Sequence, residues 1–147
     1  MGDGVEAALD AAAEAESLLV ALDFDGTLAP FTERPEDSRP LPAARDALDA
    51  LARLPRTTVA VISGRPLDFL RTVVDPDRAM VLSGSHGAEV DLGAAPGADG
   101  GTEIVLDPQQ RELLARAVAA TEAIVARYPG SRAAHKPAGV AFHTRPI

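Results

Sequence analysis

Residues 19–31, LVALDFDGTLAPF, carry the clearest structural signal in the chain. An apolar run from Leu18 to Leu22 ends at Asp23, and a second carboxylate, Asp25, follows two positions later. A short continuous apolar run of this kind predicts a strand that is buried on both faces of a parallel sheet. Ligands of parallel α/β sheets bind beyond the carboxyl ends of the strands, so both acids lie where a ligand is expected.

The rest of the chain alternates between strand and helix patterns, which predicts an α/β fold with a parallel sheet. A Gly-rich segment, residues 93–103, is predicted to be a loop, and a Pro-rich loop is predicted after the first strand. The helices are predicted at residues 5–17, 42–54, 66–74 and 108–128. The strands are predicted at residues 17–24, 57–63, 78–84, 87–92 and 139–145.

Composition limits the possible partners. The chain has 147 residues and a formal net charge of −8, which argues against a nucleic-acid or anionic-membrane surface as the main partner. Cysteine is absent, so thiol catalysis and thiolate metal sites are excluded. No apolar run reaches the length of about 18 residues needed to cross a membrane, and the N-terminus lacks a secretory pattern, so a cytoplasmic location is expected.

The chemistry of Asp23 and Asp25 follows from their closeness. Two carboxylates a few ångströms apart repel each other by roughly 4 kcal/mol at an effective dielectric constant of 20, so a shared proton or a cation must offset the repulsion. Mg²⁺ suits such an oxygen-only pair and commonly accompanies phosphate. One carboxylate can attack phosphorus, while its neighbour protonates the leaving alcohol and later activates water.

The segment LDFDGTL, residues 22–28, resembles the first motif of the haloacid-dehalogenase-like (HAD) phosphatases. The resemblance implies a HAD-like Rossmannoid core in which Asp23 is the phosphorylated nucleophile. It also implies that Asp25 is the general acid/base and that both acids take part in binding Mg²⁺, Asp25 through its backbone carbonyl.

Phosphate-binding candidates lie on the same motif and at the end of the second strand. Gly26 allows a tight turn, and the Thr27 hydroxyl can reach a phosphate oxygen. Ser63, Gly64 and Arg65 follow the second strand, where a hydroxyl and backbone N–H groups at a helix start are expected to bind phosphate. VAVISGRP is similar to the second HAD motif.

Two further segments resemble trehalose-6-phosphate phosphatases: GSHGAE at residues 84–89 and HKPAGVAFHTR at residues 135–145. The resemblance implies a core over residues 1–105 and the beginning of an α+β cap domain over residues 106–147. It makes His86, Lys136, His143 and Arg145 candidate contacts to the sugar or its phosphate, although a solvated sheet face would show the same alternation. The family often has Glu two positions before this Lys, where this chain has Ala134.

The resemblance implies a Mg²⁺-dependent phosphatase that hydrolyses trehalose 6-phosphate through an aspartyl-phosphate, with a sugar phosphate as its partner. The later Lys and acidic pair of such enzymes find no match here, so the chain is expected to be the N-terminal part of the architecture and nearly inactive alone. The alternatives are another sugar-phosphate phosphatase and a non-catalytic fragment that binds phosphate or a partner. A phospho-acceptor signalling domain is disfavoured, because its acceptor lies on a later strand.

Overall fold

The structure is a computed structural model that describes residues 3–93, 95 and 100–144. The chain divides into two compact units, residues 1–101 and 102–147. Arg145, a predicted site residue, lies outside the described residues. In the part of the chain that is described, no helix is long and apolar enough to cross a membrane.

The first unit is built from helices and strands that alternate along most of its length. Its helices are α1 Asp3–Ala13, α2 Pro42–Ala52 and α3 Leu67–Val73. Its strands are β1 Leu18–Asp23, β2 Thr57–Ile62, β3 Val81–Gly84 and β4 Glu89–Asp91, and β5 Gly101–Glu103 begins at the unit's last residue. Two 3-10 turns lie at Pro35–Asp37 and Ser85–Gly87.

The five strands form one mixed sheet in the order β1-β2-β3-β4-β5. Strands β1, β2 and β3 are parallel, and Asp23 is the register partner of Ile62, the residue before Ser63. Strand β4 then turns back antiparallel to β3. The carboxyl ends of the three parallel strands therefore meet at one edge, which brings the Asp23 and Ser63 segments together as the sequence predicts.

The hydrophobic core of this unit joins the sheet to helices α2 and α3. Phe24 and Leu28, which follow β1, are buried within it. The other members come from the strands, the helices and the loops between them: Ala29, Leu48, Val59, Val61, Leu67, Leu70, Val73, Val74, Met80 and Leu82.

The prediction that β1 is buried on both faces is wrong. Its residues alternate between half-buried and exposed, and Leu19 is 65% exposed. The exposed residues Leu19, Ala21 and Asp23 share one face of the strand, so the described part of the chain covers only the other face. An apolar run thus identified the strand but not its surroundings.

The second unit consists of one helix and a hairpin: α4 Pro108–Val125, β6 Arg132–Lys136 and β7 Gly139–His143. A capping box starts α4, because Asp107 accepts the Gln110 N–H while the Gln110 side chain accepts the Asp107 N–H. The helix packs against both hairpin strands. Its inner side consists of Leu114, Val118, Thr121 and Val125, all partly buried.

Several boundaries differ from the predictions. Helix α1 ends at Ala13 and α4 at Val125, both earlier than expected. Strand β6 was not predicted. The Gly-rich segment is not wholly a loop, because its last residues form β5, while residues 94 and 96–99 lie outside the described residues.

Candidate active site

The first motif folds as a tight turn directly after β1. The Phe24 carbonyl accepts hydrogen bonds from the N–H groups of Leu28 and Ala29, and the Gly26 N–H donates to the Ala29 carbonyl at 2.8 Å. Gly26 has a φ of +87°, and a Cβ there would lie 3.0 Å from the Phe31 ring. Glycine is favoured at this position, chiefly by the backbone conformation, and a side chain would also displace the exposed Phe31 ring.

Asp23 and Asp25 have different surroundings. Asp23, the last residue of β1, is exposed at the edge where the parallel strands end. The side chain of Asp25 is 27% exposed and is bound by Arg65, a residue of the turn after β2. The Arg65 Nε lies 2.9 Å from Asp25 Oδ2 and its Nη2 lies 2.7 Å from Asp25 Oδ1. This bidentate pair fixes the position of the Asp25 carboxylate.

The Arg65 guanidinium is itself held on several sides. Its Nη1 donates to the Pro35 carbonyl at 2.6 Å, and its Cζ lies 5.0 Å from the Phe69 ring centre and 5.9 Å from that of Phe24. The hydrogen bond to Asp25 raises the pKa of Arg65 above its ordinary value, even though burial opposes the rise. Arg65 therefore stays charged and rigid beside Asp25.

The sequence predicts Arg65 as a phosphate ligand. In the structure its Nε and both terminal nitrogens already donate to Asp25 and Pro35. The geometry thus gives Arg65 a role toward Asp25 that the sequence did not indicate. Its contact with phosphate stays a prediction.

Ser63 is nearly buried just beyond β2. Its N–H donates to the Ser83 carbonyl at 2.8 Å, which continues the sheet, and its hydroxyl accepts the Arg65 N–H at 3.1 Å. A hydroxyl that accepts one hydrogen bond keeps its own proton for donation. Ser63 is therefore placed to donate to an anionic oxygen at the sheet edge. Thr27 is exposed in the first motif's turn.

The N–H groups at the start of α3 are less available than the sequence suggests. The Arg65 N–H is taken by the Ser63 hydroxyl, and the Leu67 N–H donates to Glu89 Oε2 at 3.3 Å. The expectation of freed N–H groups is wrong for these two, because side chains from nearby segments satisfy them. The Ser63 hydroxyl is therefore the donor near this turn that the structure supports best.

His86 covers the turn after β2. A Cβ at Gly64 would lie 2.5 Å from His86 Cε1, so the imidazole packs directly against the Gly64 backbone. The His86 N–H donates to the Ser63 carbonyl at 3.1 Å. His86 thus supports the Ser63-Gly64 turn from the neighbouring loop.

The loop that carries His86 is held in a left-handed conformation. Ser85, His86 and Gly87 have φ values of 50°, 58° and 90°. The Ser85 hydroxyl donates to Glu89 Oε2, which also accepts the Leu67 N–H. Positive φ in two consecutive non-glycine residues is strained, and such strain concentrates at functional sites. Sequence reasoning missed Ser85 and Glu89, since GSHGAE alone does not show which residues fasten the loop.

The donors at the strand ends suit Mg²⁺ in kind, since they are the carboxylate and carbonyl oxygens that this ion prefers. Asp23 is exposed, and both carboxylate oxygens of Asp25 are paired with Arg65, which leaves the Asp25 carbonyl as the oxygen it can offer. Over the described ranges, no three Asp, Glu or His side chains gather as a metal cluster. These residues therefore fit one part of a Mg²⁺ site.

The remaining candidates lie on the hairpin of the second unit. Lys136 ends β6 and His143 ends β7, and both are partly buried. Arg132 is the register partner of His143, and Ala134 is that of Ala141. Strand β6 was not predicted, so the pairing of Arg132 with His143 was unknown from the sequence.

The family model for trehalose-phosphatase matches residues 21–147. The chain belongs to the trehalose-phosphatase family. The match includes both acidic residues, the Ser63 turn and the hairpin, so the resemblance on individual motifs extends over most of the chain.

Curated relatives of this trehalose-phosphatase family chain are similar in sequence. The trehalose-phosphate phosphatase of Mycobacterium leprae is 36% identical over 131 residues, which are 87% of this chain and 28% of that protein. The bifunctional trehalose-6-phosphate synthase/phosphatase of Thermoproteus tenax is 35% identical over 134 residues, 90% of this chain and 17% of that protein. The chain thus spans less than a third of either relative's length.

Solved structures agree with the fold. The trehalose-6-phosphate phosphatase of Aspergillus fumigatus matches with a TM-score of 0.63 at 26% identity, covering 93% of this chain and 49% of that one. The C-terminal domain of the C. albicans trehalose-6-phosphate phosphatase matches with a TM-score of 0.78 at 24% identity, covering 96% and 47%. The chain therefore shares its α/β fold with these phosphatase structures over about half of their length.

Proposed function

We propose that this chain carries the nucleophile, the general acid/base and part of the phosphate site of a phosphatase that hydrolyses trehalose 6-phosphate to trehalose and phosphate. One observation carries the proposal. An exposed Asp23 and an Arg65-clamped Asp25 lie beside Ser63 at the carboxyl end of a parallel sheet, in a chain of the trehalose-phosphatase family. Asp23 and Asp25 therefore have different surroundings, which is what a nucleophile and a general acid/base need.

Asp23 is the nucleophile in this proposal. Its carboxylate oxygen bonds to phosphorus, and the bond between phosphorus and the sugar oxygen breaks. Asp25 gives its proton to the departing sugar oxygen, which leaves as the trehalose hydroxyl. Asp25 then takes a proton from a water molecule that attacks the aspartyl-phosphate, so inorganic phosphate is released and both acids return to their starting state.

In the structure Arg65 holds Asp25 as a carboxylate, so one of its two hydrogen bonds to Asp25 must open before Asp25 carries the proton in these steps. Because its guanidinium is bidentate to Asp25 and stacked on Phe69, rotation of the carboxylate is restricted. Proton transfer needs a heavy-atom separation of about 3 Å, so a fixed carboxylate is a catalytic advantage. The Ser63 hydroxyl, with Thr27 and Gly64, holds the phosphoryl oxygens in this proposal.

Mg²⁺ is the proposed cofactor, held in part by the Asp23 carboxylate and the Asp25 backbone carbonyl. When bound, it neutralises charge on the phosphate. The chain's own contribution is to hold both acids at the strand ends against their mutual repulsion, which the Arg65 cation beside Asp25 also reduces.

We also propose separate roles for the two parts of the chain. Residues 1–105 serve as catalytic core and residues 106–147 as the beginning of a cap whose Lys136, His143 and Arg145 contact the phosphosugar. The partner is a small sugar phosphate rather than nucleic acid or membrane, and a cytoplasmic location is proposed.

Turnover by the 147-residue chain alone is expected to be low. The chain covers about half of the matched phosphatase structures, and no three-ligand metal cluster forms within the described residues. Charge stabilisation dominates phosphoryl transfer, so a partial set of charged groups gives little rate. The same observations favour the second candidate, a fragment that binds phosphate without catalysis.

The test is phosphate release from trehalose 6-phosphate by the chain and by its Asp23→Asn variant, with and without Mg²⁺. We expect slow release that requires Mg²⁺ and disappears in Asp23→Asn. Sucrose 6-phosphate is the matched substrate control. Release that survives Asp23→Asn would remove Asp23 as the nucleophile, and faster release from sucrose 6-phosphate would favour the other sugar-phosphate phosphatases. No release from the folded chain would leave the second candidate.

A further inference from the structure

The Ser63 turn, residues 63–65, is held by the backbone of the segment that follows β3. The His86 N–H donates to the Ser63 carbonyl at 3.1 Å, and the Ser85 N–H donates to the Arg65 carbonyl at 2.7 Å. Both donors belong to the main chain, so they can reach these carbonyls only while Ser85 and His86 keep their present backbone conformation. The position of the Ser63 turn therefore depends on that conformation.

The conformation of Ser85 and His86 is one that needs support. Both residues are left-handed, with φ values of 50° and 58°. Residues with a Cβ disfavour this region, and such strain persists only where the surrounding structure holds it in place. A contact outside residues 85 and 86 must therefore stabilise the strained segment.

Glu89 on β4 makes such a contact. Its Oε2 accepts a hydrogen bond from the Ser85 hydroxyl and another from the Leu67 N–H, the latter at 3.3 Å. Ser85 is only 6% exposed, so a hydroxyl that lost Glu89 would have little water to bind in its place. One carboxylate thus joins the strained segment to the first residue of α3.

The residue type at position 85 supports the importance of this contact. Glycine would adopt a φ of 50° with less strain, but it has no hydroxyl to donate to Glu89. Glycine does occur one position earlier, where a Cβ at Gly84 would lie 2.8 Å from the Leu67 nitrogen. Serine in a left-handed position therefore indicates that its side-chain hydrogen bond outweighs the backbone strain.

We propose that Glu89 is a positioning residue for the Ser63 turn. Through Ser85 it holds the left-handed segment whose N–H groups fix the Ser63 and Arg65 carbonyls. Through its second hydrogen bond it holds the start of α3, directly after that turn. Loss of Glu89 then displaces both the Ser63 hydroxyl and the Arg65 guanidinium. The importance of this role for catalysis rests on the proposed function.

Amide hydrogen exchange followed by NMR tests the role of Glu89 without substrate. We expect Glu89→Ala to speed exchange of the Ser85 and His86 amides about tenfold, as loss of one charge-assisted hydrogen bond predicts. Glu89→Gln should keep most of the protection, because one amide oxygen can accept both hydrogen bonds. The Arg65 Nε signal, which reports on the pair with Asp25, is expected to shift in Glu89→Ala and to stay near its natural position in Glu89→Gln.

The matched control is Asp91→Asn on the same strand. The Asp91 carboxylate binds Arg71 and Arg78 rather than the Ser63 turn, so this variant should lower overall stability while changing exchange of the two amides less than about twofold. Equal acceleration in Asp91→Asn and Glu89→Ala would overturn the proposal, because general destabilisation would then explain the effect. Unchanged exchange in Glu89→Ala, or equal effects of Glu89→Gln and Glu89→Ala, would overturn it as well.

Ser85→Ala removes the donor of the same hydrogen bond and gives a second measurement. If Glu89 acts through Ser85, the double variant should exchange less than about twofold faster than Glu89→Ala alone, because the bond is already lost. Additive effects of the two substitutions would contradict the proposed route from Glu89 to the turn.

Phosphate release from trehalose 6-phosphate separates this inference from the proposed function. Both stand if release depends on Asp23 and falls by about tenfold or more in Glu89→Ala but not in Asp91→Asn. If Asp23-dependent release is unchanged in Glu89→Ala, the proposed function stands and the positioning role falls. If Glu89→Ala speeds exchange as expected while no release depends on Asp23, the hold of Glu89 on the Ser63 turn stands and the proposed function falls.

Discussion

Arg65 connects three segments of the site that are far apart in sequence. Its guanidinium binds Asp25 of the first motif and the Pro35 carbonyl of the Pro-rich loop, and it stacks on Phe69 of α3. With 18% of its side chain exposed, this ion pair is screened less than a surface pair would be. A residue that cannot make this bidentate contact should therefore lower the free energy of unfolding when it replaces Arg65.

Arg65→Lys is predicted to lower the free energy of unfolding by about 2 kcal/mol. Lysine keeps the charge, but a single ammonium cannot bind both Asp25 oxygens and stack on a ring. The matched control is Arg34→Lys, whose ion pairs are 71% exposed on the arginine side, so this substitution should change stability much less than Arg65→Lys does. Urea-induced unfolding measures the loss of stability in both variants. Equal losses would contradict the stabilising role of the bidentate Arg65–Asp25 pair.

Gly64 and His86 are predicted to be energetically coupled. A methyl group at Gly64 meets the imidazole at 2.5 Å, so Gly64→Ala must displace the ring and should cost about 1–3 kcal/mol. In a His86→Ala background that clash is absent, and the same substitution should cost much less. A double-mutant cycle measures the coupling. Additive effects would show that the ring does not lie against Gly64.

The site residues differ in how far the sequence could predict them. Asp23, Asp25 and Ser63 follow apolar runs, and the ends of parallel strands are neighbours in any such sheet, so their approach was predictable. The Asp25–Arg65 pair spans 40 residues and depends on the path of the loop between β1 and α2, which local patterns do not encode. The contacts of a long flexible cation are decided by tertiary structure.

At the scale of elements, Asp91 on β4 joins its strand to α3 and to the loop before β3. Its buried carboxylate accepts from Arg71 Nε and Arg78 Nη2, each at 2.8 Å, and from the Gly93 N–H at 3.0 Å. Burial alone would raise the pKa of Asp91, but the Gly93 hydrogen bond and the two arginines outweigh it and lower the pKa below its ordinary value. The folded state therefore favours the ionised form.

The sign of the pH effect follows from that lowered pKa. The stability contributed by the Asp91 carboxylate is fully present above the unfolded-state pKa of about 4 and is lost as the pH falls through the lower folded-state pKa. Asp91→Asn should cost about 2 kcal/mol at neutral pH, and the difference from the natural chain should shrink as the pH falls below about 4. Unfolding curves over this pH range measure the difference in the free energy of unfolding, and Asp46→Asn, at an exposed residue, is the control. A difference that does not change with pH would refute the ionised pairing.

The elements that the sequence predicted poorly are those with weak periodicity. Strand β6, RAAHK, has no alternation of apolar and polar residues, and it exists because β7 supplies its hydrogen-bonding partner. Strand β5, GTE, begins in a Gly-rich stretch and lies beside β4. Helices α2 and α3, by contrast, have regularly spaced leucines facing the core and were predicted to within a few residues.

At the scale of the whole molecule, β1 shows how a strand's environment depends on its neighbours. The apolar run of Leu18 to Leu22 predicted burial on both faces, yet Leu19 lies on a face of β1 that the described part of the chain leaves exposed, and across the described strands β1 is also an edge strand, with β2 as its one partner. A parallel edge that carries apolar side chains is a recognised surface for association with further strands. The chain in isolation should therefore show self-association through this edge.

Leu19→Lys is predicted to weaken that self-association, because a charged side chain on an edge strand opposes strand addition. Sedimentation velocity over a range of protein concentrations should show concentration-dependent association of the natural chain and a shift of about tenfold toward higher concentration in the variant. Leu113→Lys is the matched control, since Leu113 is 60% exposed but lies on α4 rather than on a sheet edge. If both variants associate alike, general surface hydrophobicity drives association and the β1 edge has no special role. If only Leu19→Lys is affected, association depends on the exposed side chains of β1 and not on general surface hydrophobicity.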